Sequence, residues 1–306
     1  MSELITVNPG QASAGPLGLN IIGEGVIQAF QETPSTPVVA TGSSLNDSIS
    51  SAQPRDTTVF QIGGNAGNDD ISGAAGDDTL SGGDGEDTIR GNSGNDIIDG
   101  GAQADNLLGG SGDDTIRAGN GIDVVNGGSG NDTIRGDQGN DTLMGGPGDD
   151  EIFGGNGNDT IIGNAGDDRL FGGAKSDILK GGGGDDILEG GSGRDLMKGG
   201  PGSDTFVFGP GSTGPGKLDR IFDFNPGEDQ IELSQALLPG SGISELGEAD
   251  FAVVREISLG AESTATLIYE QKSGIVYYNA PGGKDVPLFQ LQPNLSGLSA
   301  SDFTIT

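Results

Sequence analysis

Large apolar residues recur along this chain at a fixed interval of nine, from Ile71, Leu80 and Ile89 to Leu188, Met197 and Phe206. Cut into nonapeptides from Gly64, the stretch to Val207 gives sixteen blocks, each apolar at its eighth place. Aspartate holds the sixth place in every block: Asp69, Asp78, Asp87, Asp96, Asp105, Asp114, Asp123, Asp132, Asp141, Asp150, Asp159, Asp168, Asp177, Asp186, Asp195 and Asp204. Glycine holds the first place in fifteen blocks and the fourth in fourteen, so the consensus is G-G-x-G-x-D-x-U-x, with U large and apolar.

One inward residue in nine fits neither a helix nor a long alternating strand. It fits a short strand, x-U-x, whose flanking residues point to the opposite face. The glycines supply a six-residue turn with positive φ and close backbone approach. Two blocks then make one flattened coil, and the fold expected is all-β: a parallel β-roll of about eight two-strand coils, followed by a β-rich C-terminal cap. Collagen is excluded because glycine does not recur every third residue. A disordered acidic segment would have no reason to keep sixteen apolar residues in phase.

Charge then changes the picture. Stacking sets each Asp about 4.8 Å from the Asp eighteen residues later. The repeat block holds twenty-eight Asp and Glu against eight Lys and Arg, a net of −20 within the chain's −32. Two files of unneutralised carboxylates would split the stack, so a cation is required. The chain has no Cys and no His, and a flexible turn offering carboxylates and carbonyls selects calcium over zinc, iron, copper or magnesium. All sixteen sixth-place aspartates are candidate ligands. One apolar residue in nine buries little surface against chain entropy, so metal binding and folding are expected to be one event.

These sixteen in-phase blocks resemble the repeats-in-toxin (RTX) hemolysin-type calcium-binding β-roll, over 144 of the 306 residues. The resemblance implies ligands from the carbonyls of places one and three of one turn, two and four of the facing turn, and the Asp of each. Eight turns per edge leave seven gaps, so two edges offer at most fourteen calcium ions. Departures mark weaker coils: Gln103 and Lys175 replace fourth-place glycines, Ala118 a first-place one, and Ile122 and Arg194 take the usually polar fifth place.

The rest of the chain divides around this block. Residues 1–54 contain no Lys or Arg and read as a flexible N-terminal segment, Pro/Ser/Gly/Ala-rich at Pro9 to Pro16 and Thr33 to Pro54, around an apolar patch from Leu19 to Phe30. No positive n-region opens a Sec-type signal, and no run is long enough to span a membrane. Residues 55–63 read as a lead-in strand and 64–207 as the roll. Residues 208–306 read as the cap, with strand-like runs at 218–224, 230–233, 251–254, 264–269, 275–278 and 288–291. The stretch from Leu218 to Leu233 is similar to the segment that follows the roll in RTX proteases, the serralysin-like cap, and Asp219, Asp223, Glu228 and Asp229 are candidates for a further calcium there. The ending Ser299 to Thr306 resembles the uncleaved signal read by type I ABC exporters, which would be transient partners. Places seven and nine face outward and are mostly polar, with an apolar run at Met144, Phe153, Ile162 and Phe171.

Without His or Cys, zinc-protease motifs, Ser-His-Asp triads and thiol nucleophiles are impossible. The chain therefore reads as a non-enzyme. The acidic balance argues against nucleic acid, whose phosphates demand Lys and Arg. The function expected is a secreted calcium-binding protein, folding on extracellular calcium, with a structural role in matrix or at the cell surface. Calcium-dependent adhesion, motility or surface-layer roles and a polysaccharide-modifying module are the alternatives, and cell-surface polysaccharide or envelope the expected partner. Lys175, two residues from Asp177, sets a cation beside a cation site. On stepwise chelation the ions contacting Asp177 should leave first, and Lys175→Gly should strengthen that weakest step; a calcium titration in which the weakest step is unmoved by the substitution contradicts the assignment.

Overall fold

The eighth-place residues set the strands. In a computed structural model of the chain, which describes residues 3–6, 18–20, 25–29, 38–42, 44–51, 59–212, 218–254, 265–280 and 285–306, all sixteen are at most 1% exposed. The chain forms two compact units, Met1–Asn156 and Gly157–Thr306, and makes about eleven turns of parallel coil. That exceeds the eight turns expected, because residues on both sides of the nonapeptide block add rungs.

In the first unit one sheet runs Glu3–Thr6, Gly25–Ala29, Ser48–Ser51, Asp70–Ser72, Thr88–Ser93, Asn106–Ser111, Val124–Ser129 and Thr142–Pro147. The other runs Gly18–Asn20, Val38–Thr41, Phe60–Ala66, Thr79–Asp84, Ile97–Ala102, Thr115–Asn120, Thr133–Gln138 and Glu151–Asn156. Consecutive strands alternate between the sheets, so every neighbour within a sheet lies two strands away in sequence. The register is strict: Leu80 sits beside Ile98, Ile98 beside Ile116, and Ile116 beside Ile134. The described pieces of residues 1–54 are parallel strands on this same ladder, Ile49 pairing with Ile27 and Ile71. The expected linker Pro9 to Pro16 lies outside the described residues, as do residues 33–37, 43 and 52–54 of the linker expected from Thr33 to Pro54, whose described parts include the strands Val38–Thr41 and Ser48–Ser51. The lead-in strand is a full rung, Phe60–Ala66, pairing on one side with Val38–Thr41 and on the other with Thr79–Asp84.

Most strands are six residues long rather than three. They run through places seven to nine and on through places one to three of the next block, with burial alternating so that places eight and one face inward. A Cβ at place one would crowd the sixth-place Oδ2, as at Gly64 and Gly91, which is why glycine holds it in fifteen blocks; Ala118, 0% exposed, is the one alanine there. The pairing skips this position: Asp99 pairs with Arg117 and Gly101 with Gly119, with no pair between.

In the second unit one sheet runs Thr160–Ala165, Ile178–Gly183, Leu196–Lys198, Arg220–Ile221, and the other Arg169–Ala174, Ile187–Ser192, Thr205–Phe208, Gln230–Leu233, Phe303–Ile305. After Val207 the repeat pattern is gone but the rungs are not: Ile221 pairs with Met197 and Ile231 with Phe206. A β-rich region follows, in which Leu267–Glu270 pairs antiparallel with Ile275–Tyr278, and that strand with Val286–Gln290. Its aromatics pack onto the last rungs, Phe289 stacking on Phe208 at 4.3 Å between centroids. Thr264 of the run expected at 264–269 lies outside the described residues.

Because the core is one residue thick at each rung, each inward side chain matters. Ile134→Ala should cost about 2–5 kcal/mol, read by urea unfolding in saturating calcium, while Thr133→Ala on the outward face should change stability by less than about 0.5 kcal/mol. Equal effects at the two positions would contradict the placement of the core.

Candidate calcium sites

At each edge of the coil the sixth-place aspartates line up in a file. In the first unit Asp47, Asp69, Asp87, Asp105 and Asp123 share one edge, the N–H of each donating to Oδ1 of the next at 2.6, 2.7, 2.8 and 2.8 Å. Asp78, Asp96, Asp114, Asp132 and Asp150 do the same on the other edge, at 2.7 to 2.8 Å. In the second unit Asp159, Asp177, Asp195 and Asp219 form one file, and Asp168, Asp186, Asp204 and Asp229 the other. None of the sixteen sequence-identified aspartates is more than 3% exposed.

One carboxylate oxygen of each is thus spent on the ladder, and the other needs a partner. Oδ2 of Asp69, Asp87, Asp96, Asp105, Asp114, Asp123 and Asp132 in the first unit, and of Asp177, Asp186, Asp195, Asp204 and Asp219 in the second, is buried and accepts no hydrogen bond. Leaving such a group unsatisfied is costly. What surrounds it is more oxygen. A Cβ added at Gly64 would overlap Asp69 Oδ2 and lie 2.6 Å from the carbonyl O of Gly82 in the next turn. The same holds at Gly91, against Asp96 Oδ2 and Gly109 O, and at Gly163, against Asp168 Oδ2 and Gly181 O. Carbonyls of places two and four point forward into the same gap: Asn65 O faces Gly83, and Gly67 O faces Gly85. Place-three carbonyls accept the place-four N–H of the turn below, as in Gly67 to Asp84 at 2.8 Å and Gly112 to Ser129 at 2.8 Å, leaving their second lone pair for a metal.

At the aspartates just named the gap is therefore a cradle of oxygen in which the buried Oδ2 has no hydrogen-bond donor. Among the described residues no three acids, His or Cys cluster closely enough to hold a metal by side chains alone. A cation here must take most of its ligands from neutral carbonyls, which suits calcium, with its high and flexible oxygen coordination. The residues present fit the ion, and when bound it would supply the positive charge that this lattice of oxygens lacks.

The departures have structural reasons. Ala74 stands at place two, where every other block has Gly, Asn or Asp. Asn65, Asn92, Asp137 and Asn164 take positive φ there, and Ala74 does not. Its N–H turns back to Asp78 Oδ2 at 2.8 Å. Asp78 is on the file, but its second oxygen is already engaged. Gln103 and Lys175 keep positive φ at place four, 79° in each, and the Lys175 carbonyl still faces Gly193. The turn backbone is preserved and only the ammonium is added, where it lowers the pKa of Asp177 against the larger opposing effect of burial.

Sequence reasoning missed Asp47. It lies in Gly42-Ser-Ser-Leu-Asn-Asp47-Ser-Ile49-Ser50, a degenerate nonapeptide whose Asn-Asp-x-Ile core follows the pattern but lacks the fourth-place glycine. Thirteen residues separate it from Gly64, which hides it from a nine-residue frame. Of the acids marked in the cap, Asp219 and Asp229 are ladder members, 0% and 3% exposed; both begin an Asp-x-Ile-x rung. Glu228 is exposed and Asp223 half-buried, accepting from Gly199 N–H at 3.1 Å. Asp302 is buried but accepts from Gly227 and Ser299 N–H groups, so both its oxygens are used.

Burial pushes these carboxyls upward, only partly offset by the ladder hydrogen bond: to about 6 at Asp69 and Asp96, to about 7 at Asp105, Asp114, Asp132 and Asp186, and to about 8 at Asp219. Neighbouring aspartates of the file add to the rise at Asp105, Asp114, Asp132 and Asp186. The coil without a cation thus resists ionisation of its own edges.

A family model described as the RTX calcium-binding nonapeptide repeat matches residues 63–98, 81–116, 108–143, 117–152, 144–179 and 171–206. Residues 63–206 are RTX-type calcium-binding nonapeptide repeats. A search of the curated proteins found no match. Asp47, Asp219 and Asp229 lie outside the matched block.

A carboxyl whose folded pKa is raised stabilises the metal-free fold below its unfolded value near 4, and that contribution is lost as pH rises through 6 to 7. Circular dichroism in chelator should therefore show more ordered sheet at pH 4 than at pH 8, and calcium affinity should rise across the same interval as proton competition fades. Sheet content that rises with pH in chelator contradicts this.

Proposed function

We propose that this protein is exported and folds on meeting extracellular calcium, and that its role is structural, in the matrix or at the cell surface. The observation that carries the reading is the files of buried aspartates, in most of which, from Asp69 and Asp87 to Asp204 and Asp219, Oδ2 accepts no hydrogen bond and lies beside backbone carbonyls. Such a chain is poorly folded where calcium is scarce and rigid where it reaches the roughly 0.1 to 1 mM typical of extracellular sites. Type I export, carrying an unfolded chain that folds on the far side, suits that difference, and folding there would oppose back-sliding. The absence of His and Cys from the whole chain supports a structural over a catalytic role. A calcium-dependent adhesin or surface-layer component is the second reading, supported by large apolar side chains left on outward positions, Ile97 at 55% and Ile178 at 39% exposed.

Phe303–Ile305 is itself a rung on Gln230–Leu233, so deleting the last residues would damage the fold as well as any export signal. The full chain should instead be co-expressed with and without a type I exporter. Accumulation in the medium only with the exporter, and release from cell envelopes on chelation, are the expected results. Equal amounts in the medium either way overturn the export reading, and envelope retention indifferent to calcium overturns the surface role.

A further inference from the structure

The chain carries 46 Asp and Glu against 14 Lys and Arg, yet one outward sheet face of the second unit presents cations and no acid. Along the rungs from Thr160 to Phe222 the outward seventh-place row reads Thr160, Ile178, Leu196, Arg220, and the ninth-place row begins Ile162, Lys180, Lys198. Phe222 follows beside Lys198, its N–H bonded to Met197 O at 3.1 Å. Lys180 is the direct cross-strand neighbour of Lys198. Like charges in that relation are destabilising, and either position could hold one of the acids so abundant elsewhere.

Lys180, Lys198, Arg194 and Arg220 are all exposed. Among the described residues none of them forms an ion pair, in contrast to Arg90 and Arg117 of the first unit, which pair with Asp70 and with Asp99 and Asp137. The nearest acid in effect is Asp223, whose carboxyl burial pushes upward, opposed in part by the Gly199 N–H that it accepts and by Lys198. At the upper end of the face a shallow cleft of ≈ 220 Å³ is lined by Arg194, Leu218, Arg220 and Gln290. The Arg220 guanidinium lies 4.5 Å from the Phe222 ring centroid, held over a ring that is 43% exposed. The other sheet of this unit is mixed, carrying Glu189 and Glu232 in the matching row and Arg169 in the seventh-place row.

We propose that this face binds an acidic polysaccharide, a chain repeating a carboxylate along its length. This rests on the calcium-folded coil of the preceding reading. Strands about 4.8 Å apart set Lys180 and Lys198 side by side in the ninth-place row, with Arg220 one strand on in the seventh-place row, as three anion contacts on one face. Ile178 and Leu196 beside them, with Ile162 and Phe222 at the two ends of the lysine row, offer flat apolar ground for the C–H faces of sugar rings. Calcium on the aspartate files cancels the field that would otherwise repel a polyanion, so sheet and charge balance appear together. Nucleic acid is less favoured, because a duplex demands a broad basic surface, and this strip is a few residues wide.

The test uses the full chain in calcium and short oligogalacturonate, too short to gel, with neutral dextran as control. Wild type should bind the oligouronate and not dextran. The triple reversal Lys180→Glu, Lys198→Glu, Arg220→Glu should weaken binding by about tenfold or more, as the loss and reversal of three exposed charge contacts requires. Arg169→Glu on the opposite sheet should leave binding unchanged. Circular dichroism of each variant with and without calcium reports folding separately, so a failure of calcium-coupled folding is not confused with a failure of the face. The proposal is overturned if folded wild type ignores oligouronate, if the triple variant binds as well as wild type, which would indicate calcium bridging to the acidic edges, or if DNA or anionic vesicles bind the same face more tightly.

Discussion

Aspartate carboxylates stacked one strand spacing apart, buried and facing backbone carbonyls, are the constraint on which this structure depends. A ladder hydrogen bond from the N–H of one aspartate to Oδ1 of the next ties successive turns together. That bond also fixes Oδ2 against the place-one carbonyl of the following turn. The same geometry that aligns the coil therefore creates its electrostatic problem. A multivalent cation with a taste for neutral oxygen solves it, and the thin core, one apolar residue per rung on each side, leaves little else to oppose chain entropy.

Much of this was legible in the sequence because the repeat is strict. A nine-residue apolar period admits few folds, and an aspartate always two places before the apolar residue can only be an edge ligand or an edge liability. The six-residue strands were not legible, because glycine at places one and two reads as turn; the backbone of places two and three pairs as strand all the same. The extra turns were hidden for a different reason. Asp47, Asp219 and Asp229 each begin an Asp-x-Ile-x rung, but stretches of irregular length between them and the block break the frame. Cross-strand pairing tolerates such insertions, since the register of the rung is kept.

The departures show how far the turn can be altered. Gln103 and Lys175 accept a left-handed backbone at place four, a strained state for an L residue with a long side chain, and keep the carbonyl pointing into the gap. Ala74 refuses the same conformation at place two, and its amide then occupies the oxygen that a cation would need. Backbone conformation decides which turns remain open more than the count of carboxylates does.

The most direct test follows ordered sheet by far-ultraviolet circular dichroism during a calcium titration of the full chain at neutral pH, while native mass spectrometry counts the ions bound. The account predicts a chain largely without ordered sheet in chelator and a cooperative gain of sheet that tracks the uptake of several calcium ions. The same ordered sheet in excess chelator, or a folded chain carrying no calcium, would contradict it.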